Sequence, residues 1–313
     1  MPDHRHFATP RLYLQLILVM IIWGGTFIAG RQLAGHAPPL LAAALRFAVA
    51  SLCLLGFLAL SRTPLTRPTP RQALRLLLLG LCGIFGYNLC FFYGLQHVSA
   101  SRASLIVALN PAAIALASRL FLGERLPAGK LAGVALSLAG AALVILGRDA
   151  SALGGAKDWS GDLLILGCVA SWAAYSVASR GLSQTLGPLQ TVTWSILFGT
   201  LMLLAAAALS GDLSRQALDA LGGAQWSGLL YLGALGSALA YIWYYDGIRA
   251  LGPTRTGVFI ALNPLSAVLL GALLLGEKLT PQMGLGGALA IAGILLSNLA
   301  RDKAPAAAAI RQS

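Results

Sequence analysis

The stretch Gly94–Leu126, GLQHVSASRASLIVALNPAAIALASRLFLGERL, returns without gaps as Gly247–Leu279, GIRALGPTRTGVFIALNPLSAVLLGALLLGEKL, at an offset of 153. Twelve of the 33 positions are identical. They include Arg102 with Arg255, Ala108-Leu109-Asn110-Pro111 with Ala261-Leu262-Asn263-Pro264, and Gly123-Glu124 with Gly276-Glu277. A second match lies nearer the start of each half, where Trp23–Arg31 aligns with Trp172–Arg180. Self-similarity at a long fixed period marks a duplicated structural unit.

The repeated stretch belongs to a series of ten apolar runs, at 12–30, 39–60, 73–95, 99–122, 129–147, 160–180, 187–209, 226–246, 254–276 and 282–300. Each approaches the roughly 20 residues that carry a helix across a bilayer. No segment alternates in polarity as the strands of a membrane barrel do. Of the 313 residues 58% are hydrophobic and 10% charged, too few polar groups to cover a soluble fold. The first run follows a short basic region, as a signal peptide would. It lacks a small-residue cleavage site before Arg31 and reads as a retained helix. The fold class is therefore all-α: a polytopic membrane protein with ten transmembrane helices.

Fifteen Lys and Arg fall in one alternate set of gaps and six in the other, with Arg46 inside a span. Cytoplasmic loops collect basic residues, so both termini are expected in the cytoplasm, as an even number of spans requires. A repeat of five spans is odd, so the two halves must cross the membrane in opposite senses. The expected layout is a first five-helix repeat over 1–147 and a periplasmic linker over 148–159. A second repeat follows over 160–300, then a disordered cytoplasmic tail over 301–313. Inverted repeats are a hallmark of secondary transporters, with a central cavity between the halves near the bilayer midplane. Net charge is +12, but the charges are dispersed through the gaps, which suits anionic lipid headgroups and not nucleic acid.

These motifs resemble the EamA-like family of the drug/metabolite transporter superfamily. The resemblance rests on Asn110-Pro111 … Gly123-Glu124-Arg125-Leu126 and its copy Asn263-Pro264 … Gly276-Glu277-Lys278-Leu279. Trp23-Gly24-Gly25-Thr26-Phe27 and Arg46-Phe47 are similar too. It covers roughly residues 12–300 and implies ten helices, inverted repeats and a central cavity. It also implies export of amino acids or related metabolites, with an aromatic amino acid exporter branch among the possibilities.

Polar groups in hydrocarbon are costly, and each one in a span invites a functional reading. Arg46 lies about seven residues into its span, roughly 10 Å deep at 1.5 Å per residue. It reads either as a clamp for a substrate carboxylate or as a structural contact to helix carbonyls. Asn88 sits mid-span beside Tyr87. Trp23, Tyr87, Trp172, Tyr175, Tyr241 and Trp243 lie within spans and are candidates for cavity walls, with Trp23 and Trp172 at equivalent repeat positions. Phe91, Phe92, Tyr93, Tyr244 and Tyr245 lie near span ends and read as an interfacial belt. Asn110, Pro111, Asn263 and Pro264 read as hinges. Proline removes one helix hydrogen bond, and the neighbouring Asn is expected to satisfy the freed carbonyl.

All ten acids lie in gaps or at span ends, as do the four histidines. Proton relays favour such groups at mid-membrane, so facilitated, gradient-driven movement is expected. No catalytic, metal or cofactor motif is found: no phosphate-binding loop, no HExxH pair, no GxSxG turn. The four cysteines have no metal-ligand spacing. The expected partners are a small-molecule substrate and membrane lipids, and the expected state is a monomer or weak homodimer. Small residues at Gly129, Gly133, Gly140 and Gly147, and at Gly286, Ala290 and Gly293, are expected to pack helices within one chain. The leading reading is an exporter of amino acids or similar metabolites working by alternating access. Efflux of drugs or organic cations is the second. An intramembrane lipid-modifying enzyme belongs to another class and would need paired acids or histidines near one interface.

Overall fold

The computed structural model describes residues 10–123, 126–146, 159–251, 256 and 259–299, with the backbone alone for 248, 249, 298 and 299. Glu124, Arg255, the linker up to residue 158 and the expected tail lie outside the described residues. Every regular element among the described residues is helical. Eight helices are long and apolar enough to cross a membrane: α1 Pro10–Ala34, α2 Pro39–Leu60, α3 Pro70–His97, α4 Ala100–Leu122, α5 Ala128–Leu146, α6 Ser160–Leu186, α7 Pro188–Leu209 and α8 Gly223–Gly247. Two shorter apolar helices complete the bundle, α9 Phe259–Leu275 and α10 Pro281–Ser297. The chain is a polytopic membrane protein of about ten helices. The helices α3 and α6 run past the expected spans because their ends carry polar residues that a hydropathy window excludes.

Local chemistry sets the boundaries. Proline occupies the first turn of α2, α3 and α7, where its missing N–H costs no helix bond. Thr69 caps α3 in a reciprocal box with Gln72. Gly123 and Gly276 close α4 and α9 in the left-handed region, at φ 68° and 64°. A side chain there would be strained, which explains the repeated glycine.

The two halves interlace. The helix α1 packs on α8 and α9, and α6 packs on α3 and α4. The helices α2 and α7 meet across the centre, and α5 lies along α10. Exchanging the halves turns the α1 contacts into the α6 contacts and leaves the α2–α7 and α5–α10 pairs as they are. The seam between α5 and α10 is built from small residues, as expected. A Cβ added to Gly140 would lie 2.5 Å from the backbone N of Ala290, and one added to Gly133 would lie 2.5 Å from that of Ser297. In lipid such close backbone approach is what holds helices together.

One feature of the fold was not expected. Both α3 and α8 contain a π-helical segment, Gly80–Gly86 and Tyr231–Leu239. These wide turns sit at corresponding places in the two halves and share a spaced pair of glycines, Gly83/Gly86 and Gly233/Gly236. Segments of this kind recur at functional sites, because they redirect side chains and carbonyls out of the helical ladder.

Candidate functional site

Arg46 bridges the helices α3 and α8 beside their π segments. It is 8% exposed. Its Nε donates to Ser237 Oγ in the π segment of α8 at 3.1 Å. Its Nη1 donates to Asn88 Oδ1 in α3, two residues beyond the other π segment, at 3.2 Å. Both partners are themselves fixed by the wide turns. Asn88 Nδ2 donates to Ile84 O at 2.7 Å, and Ser237 Oγ donates to Leu232 O at 2.9 Å. The guanidinium also lies over the rings of Phe47 and Phe91, at 5.2 and 5.7 Å from their centroids. One cation from the first half is thus held jointly by both halves. No ion pair to Arg46 forms among the described residues.

Around it runs a chain of aromatic contacts. Trp23 meets Tyr241 edge-on at 5.8 Å, Tyr241 meets Trp172 at 6.4 Å, and Trp172 meets Tyr87 at 6.0 Å. Tyr87 stacks on Phe91 at 6.0 Å, and Phe91 meets Phe27 at 5.6 Å. Trp23 and Trp172, equivalent in the repeat, therefore converge on one tyrosine. Trp23, Tyr87, Trp172 and Tyr241 are each partly exposed, and Tyr87 and Tyr241 pack against the main core of the bundle. The Trp23 indole is anchored on Gly236 O at 3.1 Å, a carbonyl of the π segment. Tyr175 stacks on Trp172 at 5.4 Å, but its hydroxyl is engaged with Ser195 Oγ at 3.0 Å, which makes it a support for the wall.

The structure separates some expected residues from this group. Trp243 packs against Val19, Met20 and Ala240, as Trp23 also does, but makes none of the ring contacts above. Phe91 and Phe92, expected at the interface, are buried at 1% and 0% exposure, whereas Tyr93 is 37% exposed. Span-end position misled here because α3 extends two residues past the expected end and its phenylalanines turn inward. The Asn-Pro pairs do interrupt their helices. α4 breaks at Ala108 and Leu109 before Pro111, and α9 begins with a short 3-10 turn, Phe259–Ala261, before Pro264. Asn110 and Asn263 do not take up the freed carbonyls, however. Neither side-chain amide nitrogen donates a hydrogen bond among the described residues, and both Oδ1 acceptors are buried and unpartnered. Ser237, Phe27 and Phe91 were missed as site residues. The signal for Ser237 was a single serine in the apolar run Tyr231–Leu239.

A second polar cluster lies at one end of the bundle. Arg102, in the first turn of α4, binds Asp162, in the first turn of α6, through Nε–Oδ1 at 2.7 Å and Nη2–Oδ2 at 2.9 Å. The same guanidinium donates to Val144 O and Ile145 O at the end of α5, both at 2.7 Å. Glu277 reaches across from the end of α9 and accepts the backbone N–H of Ala100 at 2.7 Å and of Ser101 at 2.9 Å. The gap charge Arg102 and the span-end acid Asp162 are thus a buried pair. The Gly276-Glu277 motif is the device that caps α4 from the other half. A recess of about 190 Å³ opens between α4, α9 and α10, lined by Leu105, Pro264, Val268, Met283, Ile291 and neighbours. None of its lining side chains carries a charge or a hydrogen-bonding group, so nothing there orients a polar substrate.

The comparisons with known proteins define the class: this is a membrane transporter. The EamA-like transporter family model matches residues 11–146 and again 159–299, one copy per half, and the chain belongs to that family. It is similar to the uncharacterized transporter YyaM of Bacillus subtilis, 26% identical over 92% of this chain and 93% of that one. It is 30% identical to the uncharacterized inner membrane transporter YedA of Escherichia coli, over 94% and 93% of the two chains. A probable terminal-alkyne amino-acid exporter of Streptantibioticus cattleyicolor is 29% identical over 90% and 92%. A solved crystal structure has the same fold, with a TM-score of 0.67 over 92% of this chain and 98% of that one at 24% identity.

Proposed function

We propose that this transporter exports amino acids or closely related small metabolites across the cytoplasmic membrane by facilitated alternating access, with both termini in the cytoplasm. The observation that carries the reading is Arg46. Its charge has no carboxylate partner among the described residues, and its ligands come from both halves. A substrate carboxylate bound there would touch the joint that must move. The aromatic rings would hold the apolar body, as ring faces do in ligand pockets. The amino-acid exporter among the relatives supports the same substrate class. Efflux of organic cations fits less well, since a cation would meet an uncompensated guanidinium.

In this scheme the Arg102–Asp162 pair and the Glu277 cap hold the non-cytoplasmic end shut, and their release opens it. Two halves of related sequence and opposite sense can exchange conformations, which exposes one site to each side in turn. The test is counterflow in proteoliposomes with a panel of labelled amino acids. Replacing Arg46 or Trp172 by Ala is expected to reduce the rate at least tenfold while the protein stays folded. Wild-type rates in both would show that the site lies elsewhere.

A further inference from the structure

The donor and acceptor inventory around Arg46 is one-sided. Of the guanidinium's three nitrogens, Nε and Nη1 are engaged by Ser237 and Asn88, and Nη2 makes no hydrogen bond to the described residues. The hydroxyls of Tyr87 and Tyr241 also make none, whereas that of Tyr175 is engaged by Ser195. Tyr87 stacks on Phe91, whose ring centroid lies 5.7 Å from the Arg46 guanidinium. Acids are committed elsewhere. Asp162 is bound by Arg102, and Glu277 caps α4. Asp212, Asp219 and Asp246 lie at or beyond the ends of the helices α7 and α8. Three deep carbonyls already accept a side-chain hydrogen bond: Ile84 O from Asn88, Leu232 O from Ser237, Gly236 O from Trp23.

We infer that the site recognises its substrate as an amphipathic monocarboxylate, through the carboxylate and an apolar or aromatic body, and that it does not read an α-ammonium group. This rests on the reading of Arg46 as the substrate anchor and narrows it. A carboxylate can take the open Arg46 Nη2, in a bond strengthened by charge, while its apolar body lies against the neighbouring rings. Among the described residues an ammonium on the same substrate would find no carboxylate beside Arg46, only uncharged oxygens. It would sit one carbon from a group bound to a cation that it repels. A ring face of Tyr87 or Trp172 can tolerate it but cannot select for it. The committed charge is a single cation, so a monoanion neutralises the site and a dianion overshoots.

Three probes share one aromatic body and differ only in these groups: 3-phenylpropionate (carboxylate only), phenylalanine (both) and phenethylamine (ammonium only). The readout is the midpoint of thermal unfolding of the purified wild-type protein as each probe is titrated, because a ligand that binds only the folded state raises that midpoint. The expected result is that 3-phenylpropionate and phenylalanine stabilise with half-effective concentrations within threefold of each other, that phenethylamine has no effect, and that Arg46→Lys weakens both active probes at least tenfold. If phenylalanine acts and 3-phenylpropionate is tenfold weaker or worse, the ammonium is read. The inference then fails, while Arg46 as anchor and the proposed transport stand. Action by phenethylamine alone would overturn the inference and the anchor together. If none of the three stabilises, the inference is overturned and the labelled amino-acid panel judges the proposed function separately.

Discussion

Asp162→Asn keeps the shape of the side chain and removes its charge, so it isolates what the Arg102 pair contributes. The two side chains are 9% and 2% exposed and meet through two nearly parallel bonds of 2.7 and 2.9 Å. Breaking a buried pair from one side costs about 3–5 kcal/mol, because the surviving charge stays buried without its counter-ion. Arg102 keeps the carbonyls of Val144 and Ile145, which places the expected loss at the low end, about 3 kcal/mol. In Arg102→Gln/Asp162→Asn no charge is left stranded. The double variant should therefore be less destabilised than the sum of the single variants by about 2 kcal/mol or more. The assay is equilibrium unfolding of the purified protein in mixed micelles of increasing SDS fraction, run on all four members of the cycle. If Asp162→Asn lies within about 0.5 kcal/mol of wild type, or the cycle is additive, the pair does not hold α4 to α6 as the geometry says.

Three further outcomes can be checked with the same preparations. Glu277→Gln retains an oxygen for one N–H of the α4 first turn and gives up the charge, which should cost about 1–2 kcal/mol in the same unfolding assay. Gly140→Ala places a methyl 2.5 Å from the backbone of Ala290, where no flexible side chain can yield, and should destabilise by about 1–3 kcal/mol despite the better helix propensity of alanine. If the helix breaks before Pro111 and Pro264 serve as hinges, replacing both prolines by Ala should slow counterflow without loss of folded protein. An unchanged rate would remove the hinge.

How far the sequence was legible differs from residue to residue, and the differences have physical causes. The helices could be read because lipid demands an unbroken apolar run, a property of neighbours along the chain. The depth of Arg46 could be read for the same reason. What Arg46 touches could not, because Ser237 lies 191 residues away and Asn88 lies 42 away. The π segments left only the glycine pairs Gly83/Gly86 and Gly233/Gly236 as a trace, and those are also what tight packing requires. Phe91 and Phe92 were misplaced because position along a span does not say which way a side chain turns. Asp162 resembled a loop acid because its partner is supplied by the other half. Asn110 and Asn263 fit their helix breaks, but the hydrogen bonds expected of them are not made.

The placement of the repeated motif bears on how the two halves work together. Identity between them is concentrated in α4, α9 and the turns that follow, not in the aromatic walls. In the described copy, Gly276 turns the chain in a left-handed conformation that disfavours other residues, and this aims Glu277 at the first turn of α4 in the opposite half. The motif is thus a means of fastening one repeat to the other, and its sequence copy Gly123-Glu124 stands at the corresponding position of the first half. A joint of this kind has to be alike in both halves if they are to exchange roles. The walls need only surround one substrate, and there Trp23 and Trp172 persist while Arg46 has no such constraint. The asymmetric site within symmetric fastenings follows from that division. Substitutions at Glu277 should therefore alter the distribution between inward and outward states, and substitutions at Arg46 should alter what is carried.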